Sequence, residues 1–132
     1  MIWFYKGKPL LFPPEGTHSF VYLITNLASG KKYIGKKSIY SHKTEVIPGR
    51  VKKKKTVRES NWKNYWGSCQ PLKEDVKLLG KEKFHREILD FCTSKSWATY
   101  KEAMYQFEYG VLLSDEWYNG WIDCTVNQCN LK

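Results

Sequence analysis

Residues 19–37 read SFVYLITNLASGKKYIGKK. Ser19 to Leu27 is almost wholly apolar or β-branched, the pattern of a strand covered on both faces. Ala28-Ser29-Gly30 then supplies a turn, and Lys31 to Lys37 returns as a second strand centred on Tyr33-Ile34-Gly35. The stretch therefore predicts a hairpin at the heart of a small sheet.

Upstream, residues 2–12 are two apolar runs around Lys6-Gly7-Lys8, which predicts a second hairpin, and Pro13-Pro14-Glu15-Gly16 breaks the chain after it. Downstream, residues 38–60 change character. Lys43, Arg50, Lys52, Lys53, Lys54, Lys55 and Arg58 crowd a segment that also holds Pro48-Gly49. Adjacent ammonium groups repel one another, so this lysine-rich insert is expected to be a solvated, mobile loop that tracks a phosphate backbone.

Asn61 to Ser68 is expected to be a short helix or turn docking its aromatics. Pro71 can open a helix with Leu72, Val76 and Leu79 on one face, closed by Gly80. Phe84 to Cys92 predicts a strand. A longer helix is expected from about Ala98 to Leu113, with Ala98, Met104, Phe107, Val111 and Leu112 as its buried stripe. Tyr118-Asn119-Gly120 reads as a turn, and Trp121-Ile122 as a short strand or packing hook. No internal repeat is visible.

The chain has 132 residues, enough for one domain with a modest core, and its 42% hydrophobic and 27% charged content is that of a folded globular protein. Its 22 Lys+Arg against 13 Asp+Glu give a formal charge of +9. A field of that sign favours phosphate backbones, and the 16% aromatic content offers flat faces for bases. No lysine-rich stretch is also an amphipathic helix, which argues against a membrane surface as partner. The four cysteines, Cys69, Cys92, Cys124 and Cys129, fit no zinc-ribbon or finger spacing and are expected to be reduced thiols; a metal site at Cys124 and Cys129 is the alternative. No apolar run approaches 18 residues and the start lacks a signal-peptide pattern, so a cytoplasmic location is expected, that of the host cell if the protein is phage-encoded.

The pairing of Phe20-Val21-Tyr22 with Tyr33-Ile34-Gly35-Lys36, ten residues apart, resembles the two motifs of the GIY-YIG nucleases. The first triplet departs from the pattern, with Phe20-Val21 where Gly-Ile is usual. The resemblance continues through the basic segment 43–58, a helical glutamate best matched by Glu102, and Tyr118-Asn119. It is similar in layout to small phage-encoded homing-type members. It implies an α/β (α+β) fold with a small central antiparallel sheet flanked by helices, and a metal-dependent DNA endonuclease acting as monomer or homodimer.

Hydrolysis of a phosphodiester needs an activated water, charge stabilisation on the phosphoryl oxygens, and help for the departing 3′ oxygen. Mg²⁺ or Mn²⁺ held by one carboxylate answers the last two needs. Glu102 is the expected ligand. Glu108, on the same predicted helix, competes with it; a Glu-x-x-x-Gln step resembling the family helix favours Glu102. The resemblance implies that Tyr22 or Tyr33 takes or relays the proton of the attacking water. An ordinary phenol titrates near 10, so Lys36 is expected to lower it. Asn119 is either part of the site or a turn-former. The family's arginine follows its second motif closely, where this chain has His42 and Lys43; Arg50 and Arg58 are the arginines available, and Arg58 is preferred. A non-cleaving nucleic-acid-binding protein, stacking bases on Trp62, Tyr65 and Trp66, is the competing reading.

Overall fold

A computed structural model describes residues 2–45, 49 and 54–131, with side chains described except at 42–45 and 54–56. β1 (Trp3–Tyr5) and β2 (Lys8–Leu10) form the first hairpin. Its two-residue turn has positive φ at both Lys6 (50°) and Gly7 (78°), the twist that antiparallel strands require. β3 (Ser19–Asn26) and β4 (Lys32–Ser38) form the second hairpin. β7 (Phe84–Cys92) completes a five-stranded sheet in the order β2-β1-β7-β3-β4. The β1–β2, β3–β4 and β3–β7 pairs are antiparallel, while β1 runs parallel to β7, so the sheet is mixed. The first hairpin thus supplies two of the five strands of the sheet.

β3 is buried on both faces, which explains its unbroken apolar run. Phe20, Tyr22 and Ile24 join Trp3, Trp62, Trp66, Leu72, Val76 and Ile88 on one side. Val21 and Ile34 face the other side with Cys92, Ala98 and Val111. Helix α1 (Gln70–Leu79) covers the first face through Leu72 and Val76. It begins with Pro71 in its first turn and stops at Gly80, whose φ of 92° suits glycine. Helix α2 (Lys95–Glu108) covers the second face, capped by the Ser94 hydroxyl accepting from Trp97 N at 3.2 Å. The β3–β7 register slips by one residue, Val21 facing Asp90 and Tyr22 facing Ile88, which leaves Leu89 as a bulge beside Tyr22.

Several expectations are corrected. The segment 38–60 is not a plain loop: β5 (Tyr40–Glu45) and β6 (Lys54–Glu59) pair as an antiparallel ribbon apart from the main sheet. Ladder hydrogen bonds between the two arms supply the order that lysine repulsion was expected to deny. Lys43, Lys54 and Lys55 lie on these strands, whereas Arg50, Lys52 and Lys53 lie outside the described residues. Leu79 is 38% exposed, so the α1 stripe ends at Val76. Helix α2 starts three residues before Ala98 and stops at Glu108, short of Leu113, and its buried residues are Ala98, Ala103 and Gln106. Phe107 is exposed because it sits one position past buried Gln106 and so turns off the covered face of α2, and Leu112 is exposed beyond the turn at Gly110 (φ 64°). Trp121 and Ile122 form no strand, but Ile122 packs against the Val21–Ile34 core as a hook, and the bridge to the sheet is made earlier, at Trp117 with Lys32.

Candidate active site

β4 is the edge of the five-stranded sheet, and successive side chains leave it on opposite faces. Tyr33 and Gly35 point to the face that carries Tyr22, while Ile34 and Lys36 point toward α2. At this edge a cavity of about 680 Å³ brings together Tyr33 and Lys36 of β4, Ser68 to Pro71 at the start of α1, Glu102 and Gln106 of α2, and Tyr118 to Trp121 with Asp123 from the C-terminal segment.

Tyr22 does not line this cavity. It is fully buried, directly opposite Gly35 in the β3–β4 pair. A Cβ at Gly35 would stand 2.6 Å from Tyr22 Cζ and 2.8 Å from Tyr33 Cε2, and a Cβ at Gly67 would stand 3.5 Å from Tyr22 Oη. The Tyr22 phenol is therefore clamped between two glycines. It shares a hydrogen bond with Tyr65 and lies 6.1 Å, centroid to centroid, from the Tyr33 ring. Burial raises the Tyr22 phenol well above its ordinary value, and neighbouring Tyr33, Tyr65 and Glu102 add to the rise. Burial also raises Tyr33, against a smaller downward pull from its hydrogen bond with Ser68. The expectation that Lys36 lowers these phenols is overturned, because desolvation outweighs any nearby cation.

Lys36 instead turns to α2, its Nζ donating to Thr99 Oγ1 at 2.6 Å. Its charge pulls the Glu102 carboxyl down, but burial is the larger influence and Asp123 opposes it too, so Glu102 sits above the usual carboxylate range. Glu108 is exposed at the far end of α2 and does not line the cavity. Gln106 lies one helical turn beyond Glu102. It is 5% exposed, and its Nε2 donates to Ile34 O at 3.1 Å. Its buried Oε1 has no hydrogen-bond partner among the described residues.

Asn119 closes the edge of the sheet. Its Oδ1 accepts from Ile34 N at 3.1 Å and its Nδ2 donates to Ile34 O at 2.9 Å. One carboxamide thus stands in for a missing strand residue. The strand-like pairing begins just before it, where Lys32 N donates to Glu116 O and Tyr118 N donates to Lys32 O. Tyr118 is fixed in turn, its hydroxyl donating to Asp75 Oδ2 at 2.6 Å and accepting from Asn26 Nδ2 at 3.1 Å. Burial, with Asp75 adding, pushes that phenol up to about 12.

Arg58 is exposed on β6 and is not among the residues lining the cavity. No arginine lines it among the described residues. Basic groups continue beyond Lys36 all the same: a neighbouring recess of about 460 Å³ holds Lys36, Lys37, Lys95 and His18 between the sheet and the β5–β6 ribbon. Lys37 Nζ stands 4.3 Å over the Tyr65 ring, and burial lowers its pKa. The His42 side chain lies outside the described residues.

Among the described residues no group of three or more His, Cys, Asp or Glu could hold a metal ion. Cys124 and Cys129 are exposed free thiols, and all four cysteines are unbridged. The cavity is lined by the carboxylates of Glu102 and Asp123 and by Gln106, while its one thiol, Cys69, is turned to Tyr118 O. Carboxylate oxygens suit a hard cation such as Mg²⁺ or Mn²⁺, which keeps several waters and needs only one or two protein carboxylates. Among the described residues no helix is long and apolar enough to cross a membrane.

The family model described as "Putative endonuclease segE, GIY-YIG domain" matches residues 3–122. The chain is 32% identical over 103 residues to a protein of Enterobacteria phage T4 described as "Putative endonuclease segE". That alignment takes in 77% of this chain and 40% of the phage protein, so the chain spans well under half the length of its relative. No solved structure matches the chain with significance.

Proposed function

This chain belongs to the GIY-YIG endonuclease family, and from that premise we propose that it hydrolyses phosphodiester bonds of DNA with the help of a divalent metal ion. The observation that carries this reading is the convergence in one cavity of Tyr33, Lys36, Glu102 and Asn119, from three separate stretches of sequence. Mg²⁺ or Mn²⁺, when bound, neutralises charge on the phosphoryl oxygens and on the departing 3′ oxygen. Glu102 is the residue that would hold it.

The chain's own groups then divide the remaining work. Lys36, anchored by Thr99, stands where its ammonium can offset charge on a non-bridging phosphate oxygen. Tyr33, kept neutral by its raised pKa, can hydrogen-bond the attacking water without being a phenolate base. Tyr22 braces Tyr33 from below and works through packing and Tyr65. Asn119 acts as a positioning residue, since both of its polar atoms are spent on Ile34. The basic recess supports a path for the phosphate backbone through Lys36, Lys37 and Lys95 toward the β5–β6 ribbon, and by sequence Lys43, Arg50, Lys52, Lys53, Lys54, Lys55 and Arg58 add positive charge for DNA. Homing is one biological role compatible with this activity.

The absence of an arginine from the described cavity lining favours, as a second reading, a protein that binds DNA without cutting it. Supercoiled plasmid at low salt separates the two. Nicked or linear product with Mg²⁺, none with EDTA, and a loss of roughly a hundredfold or more in Glu102→Ala are the expected results. A plasmid shifted on the gel but never cut, with Mg²⁺ or Mn²⁺, would overturn the nuclease reading.

A further inference from the structure

Resting on the nuclease reading above, we propose that Asp123 is a second carboxylate anchor for the divalent cation, facing Glu102 across the cavity, and that Gln106 Oε1 accepts a hydrogen bond from a water in the cation's shell.

Three observations lead there. Glu102 and Asp123 line the same cavity, although one comes from α2 and the other from the irregular C-terminal segment. Two carboxylates lining one space repel each other when both are ionised. A cation between them would turn this repulsion into attraction.

The second observation is independent of charge. Gln106 is 95% buried (5% exposed), lines the cavity, and leaves a carbonyl oxygen without a partner among the described residues. A buried acceptor without a donor costs on the order of 1–3 kcal/mol, so native structures seldom keep one unless something absent fills it. Its amide nitrogen is already committed to Ile34 O, which fixes which end of the group is left to accept.

Helix geometry supplies the third observation. Glu102 and Gln106 are four residues apart, so their side chains share one face of α2. The donor set becomes two carboxylate oxygens and one outer-shell carbonyl, with the remaining positions open to water and phosphate oxygens.

The test is Mn²⁺ binding to the full chain without DNA, read by electron paramagnetic resonance of the free ion, with plasmid cleavage measured in parallel. Wild type is expected to bind one ion per chain. Asp123→Asn is expected to weaken that site about tenfold or more, and Gln106→Leu to weaken it several-fold. Asp115→Asn removes an exposed carboxylate outside the cavity and should leave binding unchanged. Circular dichroism melts confirm that each variant is folded, and Asp123, being exposed, has no packing role to lose.

An Asp123→Asn protein that binds Mn²⁺ within twofold of wild type overturns the proposal, while cleavage by wild type leaves the nuclease reading standing. A wild type that neither binds Mn²⁺ nor cuts DNA overturns both.

Discussion

Gly35 lies directly across the β3–β4 pair from Tyr22, and the phenol fills the space that any Cβ at position 35 would need. Gly35→Ala would bring a methyl to 2.6 Å from Tyr22 Cζ and 2.8 Å from Tyr33 Cε2. Neither ring can swing away easily, since Tyr22 is also pressed from the Gly67 side. The substitution is expected to cost about 1–3 kcal/mol, seen as a lower melting temperature, and to reduce cleavage more than binding by displacing Tyr33. A variant that melts and cuts like wild type would remove the close approach from the account.

Burial of the two motif tyrosines predicts their titration. Tyr22 and Tyr33 both stay protonated beyond the ordinary phenol range. Tyrosinate absorbance followed with rising pH should show a fraction of the nine tyrosines ionising late, alongside Tyr105 and Tyr118, each held near 12. Tyr22→Phe and Tyr33→Phe should each shrink that late fraction. An early-titrating phenol lost in either variant would restore the phenolate base.

Glu102 predicts a pH dependence of stability with an unusual sign. Its carboxyl is raised in the folded chain, so the native state holds the proton more tightly than the unfolded one. Ionisation therefore opposes folding: stability falls as pH rises from the usual carboxylate range through the raised value, and the loss is complete above it. In EDTA, Glu102→Gln should match wild type near pH 4 and melt higher than wild type at pH 7 to 8, even though it no longer cuts DNA. Lower stability of Glu102→Gln at pH 8 would mean that Lys36 outweighs burial.

Asn119 predicts a separable backbone effect. Asn119→Ala removes both of its hydrogen bonds to Ile34, leaving the Ile34 N–H without its acceptor while Ile34 O keeps the Gln106 amide. The expected cost is about 1–3 kcal/mol, with faster hydrogen exchange at the Ile34 amide. Asn119→Asp keeps an acceptor for Ile34 N–H but sets a carboxylate oxygen against Ile34 O, so it should recover only part of that protection. Unchanged exchange at Ile34 in the alanine variant would confine Asn119 to its turn.

Periodicity made most of the fold legible. β3, β4 and β7 carry long apolar or alternating runs, and Pro71 and Gly80 bracket α1, so these elements lie where residue pattern puts them. The β5–β6 ribbon was hidden because its order comes from cross-strand hydrogen bonds, while its side chains advertise repulsion. The parallel β1–β7 pair was hidden because its partners are far apart in sequence. Within the site, Tyr33, Lys36, Glu102 and Asn119 could be picked out from motif and helix position. Gln106 entered only as the last residue of the Glu-x-x-x-Gln step, and Ser68 and Asp123 could not be picked out, since only the folded chain brings them to one cavity. Tyr22 was seen as functional, but its depth beneath Gly35 is a property of strand register, not of the motif.

Trp3 lies at the centre of one core face, and the Arg86 guanidinium is stacked between it and Trp66, 4.4 and 4.3 Å from the two rings. Arg86 also donates to Tyr65 O at 2.8 Å, and Trp3 Nε1 donates to Trp62 O at 2.7 Å. Since Phe4 pairs with Glu87, the first strand cannot dock until β7 has been made. During synthesis β1 is made well before its partner β7 and must wait, apolar and unpaired, until β7 follows. The closing of the sheet, and with it the final seating of Tyr65 against Tyr22, becomes a late event in folding.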